Sequence, residues 1–241
     1  MAMFALAWSL SVACSSGGSD TGSKPGGGDS DDTGTTPAGF ENEVELADSK
    51  VDSETGTCDI AYYWPVHEKV SPLMVVRLES PEPPYEIRSL AASVFSVATG
   101  AFSLDDGTTL DCSGSRSLRL FAFVTEATDM SAYVLADGAW PDIPAIAEVT
   151  VTGAGDGEDW VEVELIEGGL DVPVRVEEPG SLWVGYEWLE TSEQTAVQCA
   201  AGCNRGRLDT FSYMVEGNEW GNETGWSPNN ENPDLRATIG Y

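Results

Sequence analysis

The chain has 241 residues and a strongly acidic composition, with 41 Asp and Glu against 11 Lys and Arg and a formal net charge of −30. This charge excludes nucleic acid as a partner, because nucleic-acid binding needs Lys and Arg to neutralise phosphates. It also disfavours direct docking on anionic lipid headgroups. The acids indicate solubility through a negative surface; the alternative is that clustered carboxylates bind Ca²⁺.

Residues 1–13 are almost wholly apolar. This segment is too short to span a bilayer as a helix, which takes about 20 residues, and its length is typical of the apolar region of an export signal. It ends in Leu10-Ser11-Val12-Ala13-Cys14, which resembles the lipobox of bacterial lipoproteins. The resemblance implies a signal peptide over 1–13, a lipid on Cys14 and anchoring to the cell envelope. With Ser15 following the Cys, it further implies the outer membrane. The alternative is a plain signal peptide with an incidental Cys.

A flexible linker is predicted over 14–40. Residues 15–39 contain eight Gly, nine Ser or Thr and four Asp, with no large apolar side chain. Such a stretch cannot bury enough surface to offset its ordering entropy, so we expect it to be disordered. Its root-mean-square span is roughly 25–30 Å. A flexible linker directly after Cys14 favours lipidation of that residue.

The remaining residues, 41–241, are predicted to form a single β-sandwich domain with a core from about residue 73. Apolar residues alternate in short runs broken by Gly, Pro, Asp and Asn, and helical periodicity is nearly absent. The aromatic residues on the second face of the run 117–126 indicate that both of its faces are covered. Strands are predicted at 73–78, 85 to about 97, 117–126, 145–152, 161–165, 172–176, 182–188, 211–215 and 235–241.

About nine short strands predict an all-β fold, a two-sheet antiparallel sandwich. Three pieces, 84–90, 180–186 and 234–238, resemble the jelly-roll accessory domains of secreted bacterial proteins. That resemblance implies a jelly-roll-like topology. It also implies binding of a glycan, Ca²⁺ or a partner protein rather than catalysis.

The cysteines form an even set once Cys14 is set aside, which indicates disulfides in an oxidising compartment. The short spacing between Cys199 and Cys203 predicts a local bond, and Cys58 would then pair with Cys112. A zinc site is the alternative. It is disfavoured, because one Cys-x₃-Cys and a single His do not make four ligands.

Nucleophilic catalysis has no support in the sequence. There is no Gly-x-Ser-x-Gly motif, and His67 is the only imidazole. A surface or packing role is expected for His67. Paired carboxylates for glycoside hydrolysis are available among 41 acids, but their number makes no pair distinctive.

The best candidate site is the aromatic and amide-rich segment 216–232, predicted to be a loop. Trp220 and Trp226 could offer flat apolar faces to sugar rings. Amides and a carboxylate around them could hydrogen-bond the hydroxyls. The alternative is that both Trp side chains fold inward. The proposed rim consists of Asn218, Asn222, Asn229 and Glu231, and a second loop adds Trp140.

Two acidic clusters are candidates for Ca²⁺, the one cofactor that the composition suggests. The first is Asp105, Asp106 and Asp111, and the second is Asp156, Glu158 and Asp159. In both, a tight turn is the alternative, because Asp and Gly are what such turns require.

The sequence therefore favours a non-enzymatic, membrane-anchored surface lipoprotein with a ligand-binding β-sandwich. The candidate ligand is a glycan. Its expected partners are the membrane, through the lipid, and a glycan or surface protein. The alternatives are a carboxylate-dependent glycoside hydrolase and a purely structural envelope component.

Overall fold

A computed structural model describes fourteen parts of the chain, all within residues 40–241, which form one compact unit. Every regular element in the described residues is a β-strand, and fifteen strands occur there. The described residues are 40–48, 61–67, 70, 72–96, 101–112, 117–130, 133, 143–152, 162–189, 197, 199–204, 210–214, 225–229 and 231–241. The strands are β1 (Glu43–Ala47), β2 (Ala61–Pro65), β3 (Leu73–Leu78), β4 (Tyr85–Ser96), β5 (Ala101–Ser103), β6 (Thr109–Asp111), β7 (Ser117–Thr125), β8 (Ala147–Thr152), β9 (Glu162–Val176), β10 (Ser181–Trp188), β11 (Cys199–Asn204), β12 (Thr210–Met214), β13 (Gly225–Asn229), β14 (Glu231–Pro233) and β15 (Leu235–Gly240).

Two antiparallel sheets build the fold, and the prediction of an all-β sandwich is confirmed. Sheet A has seven strands: β9, β4, β15 and β1 lie side by side, and β11 joins β4, β14 and β2. Sheet B has six strands in the order β13-β12-β3-β10-β7-β8, and β5 pairs with β6 in a separate hairpin. The strand number exceeds the predicted nine, because β1, β2, β5, β6, β11, β13 and β14 were not predicted, whereas two of the predicted strands form the single strand β9. None of the described residues forms a helix long and apolar enough to cross a membrane.

The central core lies between the two sheets, because side chains alternate along each strand and one set from each sheet faces inward. Sheet B contributes Met74, Val76 and Leu78 from β3, and sheet A contributes Leu235 and Ala237 from β15. The core also takes in Trp64 and Val66, ahead of residue 73 where the pattern predicted it to start. Within it, Trp64 Nε1 donates a buried hydrogen bond to Tyr186 Oη at 2.8 Å.

Strand β7 is covered on both faces, as its sequence predicts. Leu118 and Leu120 belong to the central core, whereas Phe121 and Phe123 belong to a second cluster on the outer face of sheet B. Gly185 of β10 lies opposite Phe121. A Cβ atom at that position would come within 2.5 Å of the Phe121 ring, so only glycine lets the ring lie across the sheet.

Strand β9 corrects the sequence interpretation, since a single strand replaces the two predicted at 161–165 and 172–176. Leu165, the last apolar residue of the predicted strand 161–165, is 40% exposed, and Ile166 is buried instead. The reason is register: Ile166 pairs with Ala92, which faces the core. Val172 is 75% exposed, because residues 170–173 bulge opposite the single residue 88 of β4.

Three strands of sheet A meet at Asp234, the fully buried residue between β14 and β15. Its backbone N–H donates to the carbonyl of Ala201 in β11, and its carbonyl accepts from the N–H of Ser93 in β4, both at 2.9 Å. Its carboxylate accepts from Ser93 Oγ at 2.6 Å and from the Arg236 guanidinium at 2.8 and 2.9 Å. The hydrogen bond to Asp234 raises the pKa of Arg236. This network joins β4, β11 and β15.

The disulfide pairing differs from the prediction. Cys112 is bonded to Cys199, with their Cα atoms 5.4 Å apart, and Cys203 is also disulfide-bonded. The predicted Cys199–Cys203 bond is wrong, because both residues lie in β11. Four residues along an extended strand separate Cα atoms by about 13 Å, and a disulfide tolerates at most about 7 Å. The predicted Cys58–Cys112 bond is excluded with it. Cys14 and Cys58 lie outside the described residues.

Candidate functional site: an aromatic face and an adjoining polar pocket

The outer face of sheet B carries an aromatic cluster, called the aromatic face here. Its residues alternate along β3, β7 and β10 with those of the central core, so they point away from sheet A, and β12 adds Phe211 and Tyr213. Residues of the β7–β8 connection, including Met130 and Tyr133, pack on it. The aromatic members are Phe121, Phe123, Tyr133, Trp183, Phe211, Tyr213 and Trp226.

The rings of the aromatic face contact one another in series. Trp183 lies nearly parallel to Phe123, with ring centroids 6.1 Å apart and planes at 10°. Phe211 is tilted against Trp183 at 5.8 Å. Trp226 packs edge to face on Tyr213, with ring centroids 5.3 Å apart and planes at 72°. Trp183 and Tyr213 are buried, whereas Phe211 and Trp226 are half-buried, so the β12–β13 hairpin brings aromatic surface to solvent.

Two indole N–H groups of this face lack an acceptor. Trp183 Nε1 and Trp226 Nε1 are both buried atoms without a hydrogen-bond partner in the described part of the chain. A buried donor without an acceptor costs about 1–3 kcal/mol. Burial also raises the pKa of the Tyr213 hydroxyl, so this group stays protonated at neutral pH. The face therefore presents apolar surface to solvent, with these donors buried beneath it.

A polar pocket of 300 Å³ lies where β3 ends and β10 begins. Arg77 sits between Val76 and Leu78, which both face the central core, so alternation places it on the outer face of sheet B. Its cross-strand partner is Trp183 of the aromatic face. The pocket is lined by Asp48, Arg77, Leu78, Glu79, Ser80, Gly180 and Ser181.

The candidate residues of segment 216–232 are only partly described. The prediction of a loop is wrong for Gly225–Asn229 and Glu231–Pro233, which are β13 and β14. Trp226 belongs to β13 and packs against the aromatic face, and Asn229 of the same strand pairs with Thr210. Glu231 lies in β14, opposite Asn204 of β11. The other candidates, Asn218, Trp220, Asn222 and Trp140, fall outside the described residues.

The first acidic cluster is a turn. Asp105 and Asp106 are exposed, and Asp106 Oδ1 accepts from the Thr108 N–H at 2.9 Å. Gly107 has a φ of 87°, a conformation that favours glycine. Within the described residues no three His, Cys, Asp or Glu side chains come together to hold a metal. Asp156, Glu158 and Asp159 fall outside that part of the chain.

The polar pocket was missed by sequence reasoning, although one signal was present. Arg77 is the only charged residue in the six-residue strand Leu73–Leu78. An isolated Arg on an otherwise apolar strand indicates a special environment, because unpaired burial of a charge is costly. A surface or packing role was expected for His67, and its side chain is 1% exposed, which excludes the surface role.

Comparisons with protein-family models, with curated proteins and with solved structures found no match to this chain.

Proposed function

We propose that the chain is an exported lipoprotein, anchored to the cell envelope through a lipid on Cys14, and that its β-sandwich binds a glycan on the aromatic face. The lipobox-like residues 10–14 and the flexible linker predicted after them support the anchor. The disulfide between Cys112 and Cys199 supports export, because such bonds persist in oxidising compartments.

The observation that carries the binding proposal is the half-buried pair Phe211 and Trp226 on one face of the β12–β13 hairpin. Sugar rings have apolar C–H faces that pack on aromatic rings, and their hydroxyl oxygens can accept from an indole N–H. Trp226 presents the first feature, since its ring is partly exposed, while its buried N–H has no acceptor among the described residues. Catalysis through an imidazole is disfavoured, because His67, the only imidazole of the chain, is buried.

The anchor is tested by expressing the full chain in a bacterial host and separating membranes from soluble proteins. Wild type should fractionate with membranes and carry acyl chains on its N-terminal peptide by mass spectrometry. The Cys14→Ala variant should be soluble and unacylated, while the matched control Ser16→Ala should behave like wild type. Membrane retention of the Cys14→Ala variant would refute the anchor.

Binding is tested on a glycan array with the detergent-solubilised full chain. We expect Trp226→Ala to weaken retention about tenfold or more, corresponding to about 1.4 kcal/mol. Tyr241→Ala is the matched control, because Tyr241 is an aromatic residue that is 46% exposed and lies outside the aromatic face. Absence of any retained glycan, or equal retention by the Trp226→Ala variant, would refute the proposal.

A further inference from the structure

The pocket at the ends of β3 and β10 adjoins the aromatic face. Arg77 and Trp183 are direct cross-strand neighbours, and the Trp183 ring contacts Phe211 at 5.8 Å. Glu79 and Ser181 each lie one residue beyond the paired residues Leu78 and Leu182. Phe211 pairs with Val75 of β3, and Arg77 lies two residues further along that strand, about 7 Å away in the strand direction.

The lining groups match hydroxyls rather than an ion. Arg77 has a planar array of N–H donors, and the carboxylates of Asp48 and Glu79 accept. The Ser80 and Ser181 hydroxyls do both. Each sugar hydroxyl donates and accepts, so a mixed set of donors and acceptors suits a vicinal pair. Asp48 is oriented by a hydrogen bond from Asn232 Nδ2, whose residue is fully buried.

The charge of the pocket selects against anionic ligands. Two carboxylates and one guanidinium line it, and the whole chain has a formal net charge of −30. This field repels acidic sugars and leaves neutral ones unaffected. The volume of 300 Å³ is at the lower end of the range for small-molecule sites, about 300–1,000 Å³, and admits a single ring.

We infer that this pocket is a subsite for one neutral monosaccharide unit, held by Arg77 and Glu79, whose adjoining unit packs on Phe211. The inference rests on the proposed glycan binding. It adds the charge class of the bound unit and the polar residues that hold it.

The test is saturation-transfer NMR with the full chain and four probes: the methyl glycosides of glucose, galactose and mannose, and glucuronate. At least one neutral glycoside should bind, and glucuronate should bind at least tenfold more weakly. Arg77→Gln and Glu79→Gln should each weaken the neutral glycoside about tenfold. Arg175→Gln is the matched control, because Arg175 is an exposed arginine of sheet A that pairs with Glu177.

The outcomes separate the two proposals. If wild type retains array glycans but Arg77→Gln and Glu79→Gln bind like wild type, the subsite is refuted and the proposed function stands. Tighter binding of glucuronate would also refute it. If Arg77→Gln fails to fold, as judged by circular dichroism, the exposed Glu79 still decides the question. If no array glycan and no glycoside binds, both proposals fail.

Discussion

Replacement of Asp234 should severely destabilise the sandwich. Asp234→Ala removes the two hydrogen bonds that the Arg236 guanidinium, whose side chain is only 12% exposed, donates to Asp234, and leaves it the longer contact of 3.2 Å with Glu45. It also leaves the buried Ser93 hydroxyl without its acceptor. Removing one partner of a buried ion pair typically costs about 3–5 kcal/mol, because the other charge stays desolvated. With a urea m-value of about 2 kcal/mol/M, the unfolding midpoint should fall by about 1.5–2.5 M.

The assay is equilibrium urea unfolding followed by tryptophan fluorescence and circular dichroism, with disulfides intact. Glu177→Ala is the matched control, because it breaks the exposed ion pair with Arg175, whose side chains are 51% and 66% exposed. Such pairs contribute about 0–1 kcal/mol, so the midpoint should move by less than about 0.5 M. A loss below 1 kcal/mol for Asp234→Ala, or a loss equal to that of the control, would refute the role assigned to the junction of β4, β11 and β15.

Two further predictions concern the covalent framework and alkaline stability. Non-reducing peptide mapping should find Cys112 bonded to Cys199 and Cys203 bonded to Cys58. The second bond is expected because Cys203 pairs with Ala61 across β11 and β2, and Cys58 is three residues from Ala61. A Cys203–Cys14 peptide would contradict both this pairing and the lipid anchor. Burial raises the pKa of Tyr85 and Tyr213 above the ordinary 10.0, although the Ser80 hydroxyl partly offsets this for Tyr85. Since the unfolded chain then loses these protons first, stability should be full below pH 10 and decline above it. Tyr85→Phe should reduce that decline. The measurement is the free energy of unfolding from denaturant titrations at several pH values, and an unchanged pH dependence in the variant would contradict the prediction.

The strands that sequence predicts well are those whose burial follows a strict period of two. Leu235, Ala237 and Ile239 of β15 are buried and alternate with less buried neighbours, as the pattern indicates. Strand β9 shows the limit, since consecutive Leu165 and Ile166 fit either face and only pairing with β4 decides between them.

The missed strands owe their conformation to neighbours rather than to their own residues. Strand β11, Cys-Ala-Ala-Gly-Cys-Asn, has no alternation, yet β2, β4 and β14 all pair with it. Gly202 is required there, because a Cβ atom would come within 2.2 Å of the Asn232 carbonyl oxygen. Strand β13 contains Pro228, which an edge strand tolerates because one side makes no sheet hydrogen bonds.

The candidate site, too, could be predicted from the sequence only in part. Composition alone drew attention to Trp226, because a large aromatic residue in a Gly- and Asn-rich segment is unusual. The importance of Arg77 depends on β3 lying beside β10, which places it next to Trp183. These residues are over 100 positions apart, and no local pattern encodes their pairing.

By itself, the sequence determined the all-β class, the inward face of the regularly alternating strands, the acidic surface, and the expectation of a flexible linker and anchor at the N-terminus. These follow from local composition and from the period of two along a strand. Only the tertiary structure decided which cysteines pair, which strands adjoin, and where a polar pocket meets an aromatic face. Each of these depends on contacts between segments that are distant in the sequence, and such contacts are not encoded in the pattern of any one segment.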